Sequence, residues 1–149
     1  RKSPTDNTNL KTAIMNYGAV FTAMAYDDAY YNEETASYYS TEGFPNHAIT
    51  LVGWDNNYSR KKFKSSPPGD GAFIVKNSWG ENWGDNGYFY ISYYDFFLGV
   101  ENALFSKTGN SKALRLYISM TFWAGSAVLV LSLIPPGLPI YLRQNLIKK

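Results

Sequence analysis

The sequence predicts an α+β fold: a short N-terminal helix, then an antiparallel, barrel-like sheet over residues 19–105, then a hydrophobic C-terminal helix. Three observations support this prediction. Apolar residues at helical spacing occur near the N-terminus. Four apolar segments rich in β-branched and aromatic residues follow, separated by glycine, proline and polar residues. The final part of the chain contains a long stretch without any charged residue.

The first element is a helix that follows a polar lead within residues 1–18. Asp6 or Asn7 can cap its N-terminus, and Gly18 can end it. Apolar and aromatic residues recur within it at helical spacing; they are Leu10, Ile14 and Tyr17.

Four strands are predicted after the helix. The first segment, AVFTAMA, is apolar enough for a buried strand, and the other three contain mixtures of apolar, aromatic and β-branched residues. The predicted strands cover residues 19–25, 47–54, 71–77 and 87–94. A polar loop over residues 55–70, with Pro67, Pro68 and Gly69 in sequence, joins the second strand to the third.

Composition excludes several classes of function. The 149 residues are 45% hydrophobic and 17% charged, which suits a chain with a packed core. The net charge of +2 is too small to indicate a nucleic-acid partner, and the basic residues around Arg60 are interpreted as a solvated loop. Because there is no cysteine, disulfides and cysteine–zinc sites are excluded. Asp55, Asn57 and Ser59 match only the start of a calcium loop, so no metal or cofactor is predicted.

The single histidine is the strongest candidate for chemistry. His47 opens an apolar strand directly after a Gly-Phe-Pro-Asn turn, and Asn77 ends another strand before a glycine-rich loop. If the two strands pair, the Asn77 amide oxygen can accept the imidazole N–H and fix the ring, leaving the other nitrogen available for proton transfer. Trp79 can cover this hydrogen bond and exclude water from it.

A His–Asn pair of this kind requires a nucleophile, which is usually a cysteine thiolate. The chain contains no cysteine and no Gly-x-Ser-x-Gly motif for a serine. The chain begins at Arg1 without a signal peptide, so it is expected to be an internal or C-terminal piece of a longer protein.

Two motifs resemble the C-terminal half of the papain-like cysteine peptidases, in a prokaryotic-type member. They are NHAITLVGW, which contains the histidine, and GAFIVKNSWGENWGDNGYFYIS, which contains the asparagine. The resemblance covers roughly residues 5–107 and implies that His47 is the general base, Asn77 its orienting residue and Trp79 the shielding indole. The segment YGAVFTAMA resembles another strand of the family, with Ala19 where proline is usual.

The same resemblance implies where substrate would bind. Ala23 falls on a wall of the pocket for the substrate's second side chain, and Asn46 and Ala48 fall near the cleft. The family's cysteine and the glutamine of its oxyanion hole belong to an N-terminal helical half that this chain does not contain. The resemblance therefore implies a peptidase fragment, inactive alone, whose partners are that half and a peptide or protein substrate. An extracellular or cell-surface location is expected.

Two other interpretations of the chain's function are compatible with the sequence. One is a non-catalytic homologue that binds peptides or a protein partner, and the other is a membrane-anchored piece whose main role is tethering. A cysteine followed by tryptophan in an upstream coding segment favours the peptidase, whereas serine or glycine there favours the binding protein.

The last predicted unit is the tail over residues 108–149, separate from the peptidase unit at residues 1–107. Residues 116–134 are nineteen uncharged residues without proline, long enough at about 28 Å to cross the ~30 Å hydrocarbon core of a membrane as a helix. Membrane association through the tail is thus one interpretation. A buried soluble helix and a frameshifted or misjoined reading frame are the other two.

Overall fold

The computed structural model describes residues 3–107 and 114–119 of the chain. These residues form one helix of three turns and a set of short strands. In chain order the elements are α1 (Thr8–Tyr17), β1 (Val20–Met24), β2 (Tyr31–Asn32), β3 (Ser37–Tyr38), β4 (His47–Asp55), β5 (Ala72–Lys76), β6 (Tyr88–Ser92), β7 (Asn102–Lys107) and β8 (Leu114–Ser119). Two short 3₁₀ helices, Asp28–Tyr30 and Arg60–Lys62, lie in the connections. An α+β fold is therefore present.

The helix α1 begins and ends where its sequence predicts. Asn7 is the N-cap residue, but its side chain makes no capping hydrogen bond. Gly18 takes a left-handed conformation with φ of 83°, and its N–H donates to the carbonyl of Ile14 at 2.7 Å. Of the three residues at helical spacing, Leu10 and Ile14 are buried, whereas Tyr17 in the last turn is 46% exposed.

The sheet is open rather than barrel-like. Over the described residues, its strands run in the order β2-β3-β6-β5-β4-β1-β7-β8, so that it ends at β2 on one side and at β8 on the other. The strands pair antiparallel except β3 with β6, which are parallel. The prediction of a barrel-like antiparallel sheet is therefore wrong in its closure. The strands β2 and β3 have two residues each, too few to form a closing seam.

One face of the sheet carries the main core. In β1 the side chains of Val20, Thr22 and Met24 are fully buried, whereas Phe21 is 36% exposed on the other face. The strand is thus buried on one face only, not on both as its apolar sequence suggested. The register of β1, β4, β5 and β6 aligns the buried side chains, which are Val20, Ile49, Leu51, Phe73, Val75, Phe89 and Ile91. Helix α1 adds Leu10 and Ile14 to this cluster.

The loop after β4 covers the other face of the sheet at its far end. Tyr58 is 5% exposed, stacks on Tyr90 with ring centroids 4.4 Å apart, and donates its hydroxyl hydrogen bond to the carbonyl of Thr35 at 3.0 Å. Phe63 packs edge-on against Tyr58. The loop that the sequence predicts only as polar therefore has a small aromatic core of its own.

Alkaline pH is expected to destabilise this fold through buried tyrosines. Burial raises the pKa of Tyr58 and of Tyr93 from 10 to about 12. Because the folded state binds these protons more tightly than the unfolded state, their contribution is complete below about pH 10 and is lost as pH rises toward 12. Urea unfolding midpoints at several pH values should fall across that range.

Matched variants separate this effect from general alkaline unfolding. Tyr58→Phe removes one ionisable group and one hydrogen bond, so the variant should start about 1 kcal/mol less stable but lose stability less steeply with pH. Tyr88→Phe, at a position that is 38% exposed, serves as the control and should keep the slope of the parent chain. An unchanged slope for Tyr58→Phe would contradict the prediction.

The prediction of a hydrophobic C-terminal helix over residues 116–134 is wrong for residues 116–119, the part that the structure describes. Residues 114–119 form strand β8, which pairs antiparallel with β7 in a register that aligns Leu104 with Tyr117. The outer edge of β7 offers backbone donors and acceptors that a prediction based on hydrophobicity alone does not consider. The rest of the predicted helix, residues 120–134, lies outside the described residues. In the described part of the chain, no helix combines the length and apolar character needed to cross a bilayer.

Candidate active site

The sheet brings His47 and Asn77 to the same end. His47 is the first residue of β4, and Asn77 directly follows β5, which pairs antiparallel with β4 so that Thr50 lies opposite Lys76. Continuing that register by one residue places Asn77 opposite Ile49, with His47 as its diagonal neighbour on the same face. The Nε2 atom of His47 lies 2.9 Å from Oδ1 of Asn77. The predicted hydrogen bond between the two side chains is therefore confirmed.

A second hydrogen bond fixes the direction of the Asn77 amide. The backbone N–H of Ser78 donates to Oδ1 of Asn77 at 2.8 Å, which requires the oxygen, not the NH₂ group, to face this donor. The same oxygen faces Nε2 of His47, so Nε2 must carry the proton. In neutral His47 the other ring nitrogen, Nδ1, then has a lone pair that can accept a proton.

Asn77 is fixed in place by its surroundings. Its side chain is 5% exposed, and its backbone N–H donates to the carbonyl of Gly87 at 3.0 Å. Among the described residues, the Nδ2 atom of Asn77 has no hydrogen-bond partner. Burying an amide with one donor unpaired costs free energy. The asparagine at this position is therefore explained by the hydrogen bonds that its oxygen accepts.

The indole of Trp79 stacks on the imidazole of His47. The ring centroids lie 4.5 Å apart with an interplanar angle of 28°. Trp79 is nevertheless 44% exposed. The edges of Trp83 and Tyr26 contact Trp79, each with centroids 4.8 Å apart. This arrangement is compatible with the predicted role of Trp79, which is to shield the His47–Asn77 hydrogen bond from water. The shielding role itself stays a prediction.

The three residues predicted to contact substrate lie near His47 but in different settings. Ala23 and Ala48 face each other across β1 and β4, and alternation along β4 places Ala48 on the opposite face from the side chain of His47. The side chain of Asn46 is engaged by Tyr26: Oδ1 accepts from the Tyr26 N–H at 2.7 Å, and Nδ2 donates to the Tyr26 carbonyl at 3.0 Å. Substrate binding by these residues stays a prediction.

Tyr26 belongs to the site although nothing in the sequence predicts it there. It follows β1 as one tyrosine among thirteen, and no motif distinguishes it. Only the fold places its ring beside both His47 and Trp79. The described residues contain no group of three His, Cys, Asp or Glu side chains placed to hold a metal ion.

Glycines allow the loop with the two tryptophans to approach the sheet. A methyl group at Gly84, where φ is 62°, would collide with the carbonyl oxygen of Tyr88, whereas a methyl group at Gly80, where φ is 90°, would meet nothing within 4 Å. Both substitutions by alanine carry the strain of a left-handed backbone, about 1–2 kcal/mol.

We therefore expect Gly84→Ala to be more destabilising than its control. Gly84→Ala adds overpacking against backbone, so it should lose about 1–3 kcal/mol more in the free energy of unfolding than Gly80→Ala. Urea unfolding followed by tryptophan fluorescence measures both. Equal losses for the two variants would show that the close approach at Gly84 is unimportant.

The fold and the site together describe a histidine oriented by a buried amide at the end of an antiparallel pair of strands, which is an acid–base arrangement. The family model of the papain family cysteine proteases matches residues 1–108. The chain belongs to the papain family of cysteine proteases.

Similar proteins include a solved structure and two curated relatives. The structure of the cysteine protease and lectin-like domains of Cwp84, a surface-layer-associated protein of Clostridium difficile, is 42% identical with a TM-score of 0.60, and the match covers 63% of this chain and 22% of that one. A gut-specific cysteine proteinase of Caenorhabditis elegans is 29% identical over 68% of this chain and 28% of its own length. A cysteine proteinase of Carica papaya is 45% identical over 31% of this chain and 45% of its own length. The chain thus spans less than half the length of these two curated relatives.

Proposed function

We propose that this chain supplies the general base and its orienting residue to a papain-type cysteine peptidase. His47 is the base, Asn77 orients it, Trp79 shields their hydrogen bond, and residues 1–107 are the part that serves peptide hydrolysis. The cysteine nucleophile comes from an N-terminal half, because the 149 residues contain no cysteine. The substrate is a peptide or protein, and Ala23, Asn46 and Ala48 lie along its path.

One observation supports this function above the others. The Asn77 oxygen accepts from both His47 Nε2 and the Ser78 N–H, so Nδ1 of His47 is the nitrogen left for chemistry. A module that only binds peptides has no need to specify one tautomer of a histidine.

The reaction then follows from the free nitrogen. Nδ1 of His47 accepts the proton of the cysteine thiol, and the thiolate sulfur attacks the carbonyl carbon of the scissile peptide bond. As the C–N bond breaks, the imidazolium returns its proton to the leaving amine, which leaves an acyl group on sulfur. Water, deprotonated by the same nitrogen, then hydrolyses the thioester and regenerates the thiol.

Location outside the cytoplasm is part of the proposal. Its support is the likeness to Cwp84, which is a surface-layer-associated protein.

The experiment joins this chain to the N-terminal half of the Cwp84 protease domain. The joined protein should hydrolyse an unstructured peptide and react rapidly with a thiol-directed electrophile, and a variant lacking the cysteine should do neither. A folded joined protein that binds peptide but has an unreactive thiol would favour the binding module over the peptidase.

Asn77→Ala in that protein tests the orienting role. Loss of a hydrogen bond to an imidazolium corresponds to about 1.5–3 kcal/mol, so kcat/KM should fall on the order of tenfold to a hundredfold. Asn82→Ala, at an exposed position in the same loop, is the control and should retain activity. Steady-state kinetics with a fluorogenic peptide provides the measurement. Full activity of Asn77→Ala would contradict the role.

A further inference from the structure

Tyr26 lies at the centre of the aromatic cluster behind the candidate site. Its ring contacts five other rings, which are Tyr31, Tyr38, His47, Trp79 and Trp83. The contacts with His47 and Trp79 have centroid distances of 5.8 and 4.8 Å and are edge-on. Tyr26 therefore touches both rings of the stack that covers the His47–Asn77 bond.

The stack needs support, because Trp79 is 44% exposed and lies on a loop. One support is Trp83, whose own ring is stacked on Tyr31 with centroids 4.8 Å apart and packs against Phe89. The other is Tyr26, which approaches Trp79 with an interplanar angle of 82°. Edge-to-face contacts of this kind are favourable beyond the area that they bury.

Tyr26 is itself anchored through its backbone and its hydroxyl. The side chain of Asn46 holds both the N–H and the carbonyl of Tyr26, and the Tyr26 hydroxyl donates to Oδ1 of Asp28 at 2.8 Å. Burial, followed by the hydrogen bond to Asp28, raises the pKa of Tyr26 above its usual range. The phenol therefore stays protonated and continues to donate at neutral pH.

We infer that Tyr26 is a positioning residue: anchored on Asp28, its ring holds the indole of Trp79 against His47 and so keeps water from the His47–Asn77 hydrogen bond. Tyr26 acts through Trp79 and does not itself contact a reacting atom. The inference rests on the proposed function only in giving that hydrogen bond a catalytic purpose.

Because His47 is the only histidine, NMR of the full 149-residue chain reports on this site without assignment ambiguity. The variants are Tyr26→Met, which fills space without a flat ring, and Tyr26→Phe, which keeps the ring but loses the bond to Asp28. In Tyr26→Met the ring-current shifts of the His47 carbon-bound protons should largely disappear. In this variant the Nε2 proton of His47 should exchange with water about three to ten times faster than in the parent chain. This is the fold-change expected when the interaction energy of one aromatic pair is lost.

Tyr26→Phe should restore the ring-current shifts, with exchange between that of the parent chain and that of Tyr26→Met. The matched control is Tyr30→Phe, which removes a hydroxyl hydrogen bond to the carboxylate of Glu42 and should leave the His47 signals unchanged. Unchanged His47 shifts and exchange in folded Tyr26→Met would overturn the inference. If Tyr26→Met does not fold, Tyr26→Phe decides: faster exchange than in Tyr30→Phe supports the anchor, and equal exchange overturns it.

The NMR shifts and the proton exchange of His47 can be measured in the 149-residue chain, which needs no peptidase activity for this test. Failure of the positioning inference would appear as unaltered His47 signals, while the joined protein could still cleave peptides. Failure of the proposed function would appear as an inactive joined protein with an intact stack.

Discussion

Replacing His47 by alanine in the joined, cysteine-containing protein is expected to lower kcat/KM on the order of thousands-fold. Without an acceptor for the thiol proton, the sulfur stays protonated for most of the time at neutral pH, and the leaving amine has no donor. Losses of this size follow removal of one member of a catalytic triad. The effect should exceed that of Asn77→Ala, because the asparagine orients the ring and does not transfer the proton.

Two measurements distinguish loss of the base from loss of the fold. The free energy of unfolding of His47→Ala should stay near that of the parent, since His47 is only partly buried. Added imidazole should restore part of the activity by occupying the vacated site. Tyr17→Ala, an exposed position on α1, should retain full activity under the same conditions. Full activity of His47→Ala would remove the basis for the peptidase proposal.

The sequence was most informative where a local pattern and a motif agreed. The strands around His47 and Asn77 were predicted within about two residues at each end, since each is a short run of β-branched and aromatic residues between breakers. The hydrogen bond between the side chains of His47 and Asn77 could be predicted because it required only that their two strands pair. The Ser78 N–H, which fixes the amide, could not be predicted because it depends on the turn taken after β5.

The features that sequence analysis missed are set by distant contacts. The strands β2 and β3 are two residues long and exist because β6 offers β3 a parallel edge, so no periodic pattern marks them. Tyr26 gains its place from rings that lie up to fifty-seven residues away along the chain, as Trp83 does. Residues 116–119 were predicted as helix from hydrophobicity alone, whereas pairing with β7 makes them part of a strand. In each case tertiary context overrides the local preference.

The core behind the site carries the largest expected effect on stability, and Phe89→Ala tests it. Phe89 is the second residue of β6 and is fully buried, opposite Val75 in the ladder with β5. Removing a buried phenylalanine ring loses its transfer free energy and leaves a cavity, so the free energy of unfolding should fall by about 3–5 kcal/mol. Urea unfolding followed by far-UV circular dichroism would measure this loss.

Phe96→Ala is the matched control, because Phe96 is 53% exposed and its replacement should change stability by less than about 1 kcal/mol. The comparison also connects the core with the site. The rings of Phe89 and Trp83 pack edge to face with their centroids 5.3 Å apart. Trp83 in turn contacts Trp79, which is stacked on His47. In conditions where Phe89→Ala is still folded, we therefore expect its His47 ring-proton signals to shift, whereas those of Phe96→Ala should not. A loss of stability equal to that of Phe96→Ala would mean that the sheet packs differently around β6, and the support of Trp83 would then have to come from Tyr31 and Tyr26.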